Sequence, residues 1–281
     1  MRFEKITDGF GALEAPRVDR HNNLYFSDMM FGGLRKRHGD GSSETFLAER
    51  EHIGGLVFNQ DGRLICSGKG GLILFDEHSG TVEPLLTEID GFPLEVVNDI
   101  QTDAEGGIYG GAIDFTSLAE GRPPAYGFLF RLDPSGEATV LARDVGVSNG
   151  LGFSPDGGRL YHADTSIGIR VYPLSAGRVC GDAELFAAMP GVDGLAVDAL
   201  GGVWVACYST AEVCRFHPDG RLDKKVGFDD PLVLSLCFGG PDLRDLYVVT
   251  AGQFHEPEKR LGAVYRARSD VAGLPLPLAR F

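Results

Sequence analysis

The chain has 281 residues, of which 40 are Gly and 15 are Pro, and 43% of its residues are hydrophobic. This composition is typical of a globular protein rich in turns and excludes a low-complexity chain. A formal net charge of −14 argues against nucleic acid as a partner, because such a field repels phosphates, and no run of 18 apolar residues offers a membrane-spanning helix.

The N-terminus and the cysteines both bear on where the protein resides. The first five residues, MRFEK, contain no apolar core of a signal peptide. The five cysteines form no C-x-x-C pair and are odd in number, which is typical of reduced thiols. The sequence therefore predicts a cytoplasmic protein. The cysteines are Cys66, Cys180, Cys207, Cys214 and Cys237.

Six copies of a strand–turn–strand pattern follow one another along the chain. Each is an apolar segment, a turn rich in Asp, Asn and Gly, and a second apolar segment. In chain order they occupy residues 16–28, 55–68, 99–112, 150–164, 194–207 and 235–251. The residues that precede the turns are Val18, Phe58, Thr102, Phe153, Val197 and Phe238, at spacings of 40, 44, 51, 44 and 41.

Each copy continues into two further short strands, as in residues 127–144 and 211–228. Four short strands in a unit of this length are the signature of a propeller blade. The sequence therefore predicts an all-β protein, a six-bladed β-propeller of four-stranded blades in one domain over residues 1–281. Residues 2–7 are the expected fourth strand of blade six, and residues 275–281 compete for that role.

The residue four positions before each turn anchor falls at the start of an innermost strand, so these residues should ring a central channel. Four of the six carry oxygen donors with a formal charge of −2, which suits a divalent cation. Ca²⁺ is the expected ion, and Mg²⁺, Mn²⁺, Zn²⁺ or Fe²⁺ are alternatives, although the absence of Cys and His argues against a structural zinc site. The alternative is that these side chains only cap loops. The ring positions are Glu14, Gly54, Asn98, Asn149, Asp193 and Leu234.

Several motifs resemble the senescence marker protein/gluconolactonase family, also called regucalcin-like. They are Leu13-Glu14-Ala15-Pro16, Val97-Asn98-Asp99, the string SNGLGFSPDG over residues 148–157, and Val192-Asp193-Gly194. The similarity extends over about residues 12 to 270. The resemblance implies a six-bladed propeller that hydrolyses lactones with one divalent metal ion.

The resemblance also implies roles for individual residues. Glu14, Asn149 and Asp193 match the family's metal ligands, and Asp193 matches its general base. Asn98 matches a further asparagine that contacts metal or substrate. These four residues are the donors that the repeat register selects independently. One departure is Val96, where sugar-lactone members carry an arginine that binds substrate, so the substrate is expected to be less hydroxylated than gluconolactone.

Further substrate-binding candidates lie at the ends of second strands and in the loops that enter or leave them. We expect Val96, Asp114, Tyr208 and His52 to line the pocket beside Asn98. Two long loops, residues 114–126 and 252–261, should form its rim.

Three classes of function fit these features. The first is a metal-dependent lactonase acting on a small lactone, with Asp193 activating water and the metal polarising the carbonyl. The second is another hydrolase on the same platform, a phosphotriesterase or an aryl esterase. The third is a propeller without catalysis that binds calcium or a protein. The polar axis favours an enzyme, and the sequence leaves protein partners open.

Overall fold

A computed structural model describes residues 1–229 and 232–281. The first strands in chain order are β1 (Glu4–Phe10) and the strands of blade one, β2 (Leu13–Val18), β3 (Leu24–Asp28), β4 (Leu34–Arg37) and β5 (Ser43–Phe46). Blade two follows with β6 (Leu56–Phe58), β7 (Leu64–Cys66), the short β8 (Gly68–Lys69), β9 (Leu72–Phe75) and β10 (Val82–Leu86). A small hairpin, β11 (Glu88–Ile89) and β12 (Phe92–Pro93), leads on to blade three.

Blade three contains β13 (Val96–Thr102), β14 (Ile108–Ile113), α1 (Phe115–Ala119), β15 (Gly127–Leu132) and β16 (Ala138–Ala142). Blade four contains β17 (Ser148–Phe153), β18 (Arg159–Asp164), β19 (Gly168–Ser175), β20 (Arg178–Val179) and β21 (Glu184–Ala188). Blade five contains β22 (Val192–Val197), β23 (Val203–Cys207), β24 (Glu212–Phe216) and β25 (Leu222–Gly227). Blade six contains β26 (Leu232–Gly239), β27 (Asp245–Ala251) and β28 (Gly262–Arg268). Two 3-10 turns lie at Tyr208–Thr210 and Pro257–Lys259.

The six sheets confirm the predicted six-bladed β-propeller. Neighbouring strands within each blade pair antiparallel, and blade six is completed by the N-terminal strand β1, which pairs with β28. The competing segment, residues 275–281, instead forms a single bridge from Ala279 to Asn59, and Gly273 just before it bridges to Asp198. Blades three and four depart from the expected four strands. In blade three, β8 pairs with the inner strand β13, and in blade four both β20 and β21 pair with β19.

The innermost strands of the blades contact one another in a closed cycle, β2–β6–β13–β17–β22–β26 and back to β2. Six apolar clusters fill the spaces between neighbouring blades. The cluster between blades five and six, for example, is built around Trp204, which is 1% exposed. Because each sheet buries both faces against its neighbours, closing the ring completes the core.

In blades one to five, a polar side chain directly follows the anchor and holds the turn between the first and second strands. In blade five, Asp198 accepts hydrogen bonds from the backbone N–H of Gly202 (2.8 Å) and the indole N–H of Trp204 (2.9 Å), and it pairs with Arg215. In blade three, Asp103 binds Gly107 N–H and pairs with Arg131 in the same way. These turns lie at the end of the channel opposite the ring positions.

Two further predictions are tested by the structure. All five cysteines are free thiols. None of the helices within the described ranges has the length and apolar character needed to cross a membrane.

Candidate active site

The ring residues lie where the inner strands begin, which we call the site end of the channel. In four blades the strand pairing is interrupted by a β-bulge at this position: between Val97 and Ile100, Ser148 and Leu151, Val192 and Leu195, and Val233 and Ser235. Blade one has a similar irregularity after Glu14. A bulge frees a residue from the ladder and turns its side chain, which is why bulges are frequent beside active sites.

Two carboxylates of the ring are buried close to a third. Glu14 and Asp193 are 6% and 8% exposed. Burial raises the pKa of the Glu14 carboxyl well above its usual range, and the charges of Asp193 and Asp99 raise it further. Burial and the charge of Asp99 likewise raise the pKa of Asp193. The site end therefore concentrates negative charge in a place with little solvent to stabilise it.

The two ring asparagines are held by their amide groups. The Nδ2 group of Asn149 donates to Thr165 Oγ1 at 2.6 Å, and Thr165 in turn donates to the carbonyl of Val192 at 2.8 Å. Asn98 Nδ2 donates to Ser148 O at 2.9 Å and also contacts Asn149 Oδ1. Thr165 thus fixes which edge of the Asn149 amide presents oxygen to the ring.

Gly54, the ring position in blade two, leaves space for Asn98. A Cβ atom built at Gly54 would collide with Asn98 Oδ1 and lie 3.2 Å from the Asn98 Cα. Glycine at this position therefore permits the close approach of blades two and three beside the ring.

The donor set fits a hard divalent cation. Glu14 Oε2 is buried without a hydrogen-bond partner among the described residues, which is the state expected of an oxygen that needs a cation. No three His, Cys, Asp or Glu side chains in the described ranges are grouped so that they could hold a metal ion. An ion at the ring would therefore depend on the amide oxygens of Asn98 or Asn149 as well as the carboxylates.

The structure places His52 and Val96 on neighbouring blades at the site end. His52 packs its ring against Phe115 at 4.2 Å between centroids, and its Nδ1 is buried without a partner among the described residues. Burial lowers the pKa of His52. Val96 is 3% exposed and pairs with Lys69 across the sheet, so its side chain belongs to the wall rather than to an open surface.

Asp114 and Tyr208 follow second strands, as expected, but differ in what they contact. Asp114 caps α1: one oxygen accepts from Ser117 N–H (3.0 Å) and the other from Ala125 N–H (2.8 Å). Both oxygens are thus engaged in holding the loop. Tyr208 packs with Leu234 in an apolar cluster at the site end, so this sector of the ring is apolar.

Sequence reasoning assigned no role to Asp99 or Thr165. Asp99 follows Asn98 inside the bulge, where the strict alternation of side chains along a strand fails. The one sequence feature that could have pointed to Asp99 is that it directly follows the ring residue Asn98. Thr165 is 16 residues from its hydrogen-bond partner Asn149, so no local motif links the two. Its only signal in the sequence is its position just after the second strand of blade four.

Comparisons with known proteins agree with this architecture. Residues 13–252 match the SMP-30/Gluconolactonase/LRE-like region. The chain is 31% identical to a 6-deoxy-6-sulfogluconolactonase of Pseudomonas putida, over 92% of this chain and 91% of that protein. It is 29% identical to a pentonolactonase of Haloferax volcanii, over 82% and 77% of the two chains.

Solved structures show the same fold. The calcium-binding protein regucalcin of Agrobacterium tumefaciens superposes with a TM-score of 0.86, covering 99% of this chain and 98% of that chain at 23% identity. At this identity the likeness concerns the fold alone. The match over residues 13–252 includes all six ring positions, and the chain belongs to the SMP-30/gluconolactonase/LRE-like family.

Proposed function

We propose that this chain is a lactone hydrolase that works with a divalent cation at the ring. Relatives named as a sulfogluconolactonase and a pentonolactonase, matched over most of both chains, support lactone hydrolysis. The observation that carries the metal-dependent part is the buried, unpartnered oxygen of Glu14 beside a second buried carboxylate, Asp193. Glu14, Asn149 and Asp193 would hold the cation, with Asn98 beside them.

The cation would polarise the lactone carbonyl and stabilise the oxyanion that develops on it. Asp193 would accept the proton of the attacking water, because its burial and the charge of Asp99 raise its affinity for a proton. Thr165 and Ser148 hold the two asparagine amides in place. The low exposure of the ring keeps bulk water from competing with these interactions.

The cation is tested first by thermal unfolding. We expect Ca²⁺ to raise the Tm of the wild type and to have no effect on Glu14→Gln. The metal-free Glu14→Gln variant should melt higher than the metal-free wild type at neutral pH, since it lacks one of three repelling buried carboxylates. A gain of 1–2 kcal/mol corresponds to roughly 2–8 °C in a chain of this size.

Glu49→Gln is the control for this experiment, because Glu49 is an exposed carboxylate in the loop that enters blade two. It should keep the wild-type response to Ca²⁺. A Ca²⁺-induced rise in Tm that is equal in the wild type and Glu14→Gln would place the ion elsewhere. Anomalous scattering from Mn²⁺-soaked crystals would then locate it.

The substrate is proposed to be less hydroxylated than gluconolactone. Val96 offers no charged hydrogen bond, and the Leu234 sector of the ring is an apolar cluster with Tyr208. We expect kcat/KM for δ-valerolactone to exceed that for D-glucono-1,5-lactone, each corrected for spontaneous opening.

A kcat/KM about tenfold or more higher for the sugar lactone would contradict this preference. Because two relatives are named for sugar lactones, this is the competing outcome that the assay must test. Lys69 is exposed and pairs with Val96 across the sheet. It could then supply the positive charge that an arginine supplies in sugar-lactone members of the family. Lys69→Met would test that role by lowering kcat/KM for the sugar lactone alone. A phosphotriester and an aryl ester in the same panel test the other hydrolase classes.

A further inference from the structure

A cavity of about 350 Å³ lies in the channel at the end opposite the ring, which we call the far end. It is bounded by inner strands and turns of blades three to six, by Arg17 of blade one and by the C-terminal segment. Most of the side chains around it are apolar. Those that form its walls include Phe153, Leu174, Leu195, Val197, Leu236 and Phe238.

The C-terminal segment covers this cavity. Leu274 N–H bonds to Val197 O at 3.2 Å in blade five, and Ala279 N–H bonds to Phe58 O at 2.9 Å in blade two. Between these anchors, residues 274–277 line the cavity, and residues 275–278 are exposed on their outer side. Pro275 and Pro277 have no N–H to donate. The cover is therefore fixed at both ends while its middle has few means of bonding to the blades.

Arg17 reaches this cavity with an incompletely paired guanidinium. The residue is 6% exposed, and it donates from Nη1 to Pro16 O (2.8 Å) and from Nη2 to Ile100 O (3.2 Å). Its Nε is buried without a hydrogen-bond partner among the described residues. Three of its five N–H groups are thus unused.

Two other buried arginines differ from Arg17, because each forms an ion pair with a buried aspartate. Arg131 pairs with Asp103 at 2.7 Å, and Arg215 pairs with Asp198 at 2.7 Å. Across residues 1–229 and 232–281 no carboxylate forms an ion pair with Arg17, and Glu14 and Asp99 act on it only through their charge. A buried charge without a direct partner is costly, so an anion that completes it would be bound strongly.

We propose that the far-end cavity is a second ligand site that takes a small amphipathic carboxylate. The apolar body of the ligand packs against the walls beneath the C-terminal cover, and its carboxylate accepts hydrogen bonds from the free N–H groups of Arg17. A guanidinium matches a carboxylate in geometry and charge. The volume lies within the range of small-molecule sites. This site is separate from the ring and does not depend on the lactonase activity.

Isothermal titration with sodium octanoate tests the site on the full chain. We expect binding of one equivalent, with the same affinity with and without EDTA. Arg17→Met should weaken the affinity at least about tenfold, the effect of removing a charged hydrogen-bond partner. Arg280→Met is the matched control, because Arg280 is an exposed arginine that bonds to Gly106 at the same end, and it should bind octanoate as the wild type does.

A comparison of ligands keeps the test decisive if Arg17→Met fails to fold. The wild type should then bind octanoate at least about tenfold more tightly than octan-1-ol. Three results would overturn the proposal: no octanoate binding at millimolar concentration, equal affinities for octanoate and octan-1-ol, or binding that disappears with EDTA. The last would assign octanoate to a cation at the ring, and Arg17 would then serve only as a counter-charge for the buried acids.

Discussion

Replacement of Asp193 by Asn is expected to lower kcat for lactone hydrolysis by about 10²–10⁴-fold, the usual cost of losing a general base. The change keeps the shape of the side chain and an oxygen that could bind the proposed cation, but it removes the group proposed to accept the proton of water. Asp193 is suited to this role because it is 8% exposed and its pKa is raised by burial and by the charge of Asp99. Turnover is measured by pH-stat at saturating lactone.

Loss of metal must be separated from loss of the base. The variant is therefore assayed over a titration of Ca²⁺ and Mn²⁺, with occupancy followed by Tm. A deficit in kcat that persists at full occupancy identifies the base, whereas near-full activity in the loaded variant would exclude Asp193 from that role. Glu49→Gln, which removes an exposed carboxylate, should retain wild-type kcat throughout.

The ring could be predicted from the sequence because the hairpin turns recur in register. Counting back from each turn places one residue per blade at the same height in the channel, and four oxygen donors in one register stand out from chance. The same counting could not find Asp99, because a bulge between Val97 and Ile100 interrupts the alternation of side chains. The β-bulges depend on how neighbouring strands pair, and the spacing of the repeats in the sequence carries no information about that pairing.

The ends of the chain were harder to predict than its blades. Residues 2–7 and 275–281 both resemble short strands, and their roles depend on which one meets the free edge of β28. The C-terminal segment contacts Val197 and Phe58, which are far away in sequence, so its path across the far end has no local signal. The short helix α1 did have a local signal, because Asp114 three residues before Ser117 is a helix-capping pattern. The helix itself is too short to show a helical periodicity of apolar residues.

Stability is expected to depend most on Asp198, whose carboxylate is fully buried. Asp198→Ala removes the acceptor for Gly202 N–H and Trp204 Nε1, at 2.8 and 2.9 Å. It also removes one of the two carboxylates that pair with Arg215, and leaves the other, Asp223 at 2.8 Å. Removing one partner of a buried ion pair costs about 3–5 kcal/mol when the other charge is left unpaired. Because Arg215 keeps Asp223, we expect the lower end of this range, about 3 kcal/mol. The expected fall in Tm is about 6–12 °C.

Asp219→Ala is the matched control, since Asp219 also pairs with an arginine in a turn of blade five, but at an exposed position. Its loss should cost less than about 1 kcal/mol. Equal Tm values for the two variants would show that the Asp198 network contributes no more than a surface pair. Because Asp198 holds a turn at the far end, the folded fraction of Asp198→Ala should keep wild-type kcat. A loss of kcat together with Tm would mean instead that the two ends of the channel are coupled through the inner strand β22, which carries Asp193 at its start and ends just before Asp198.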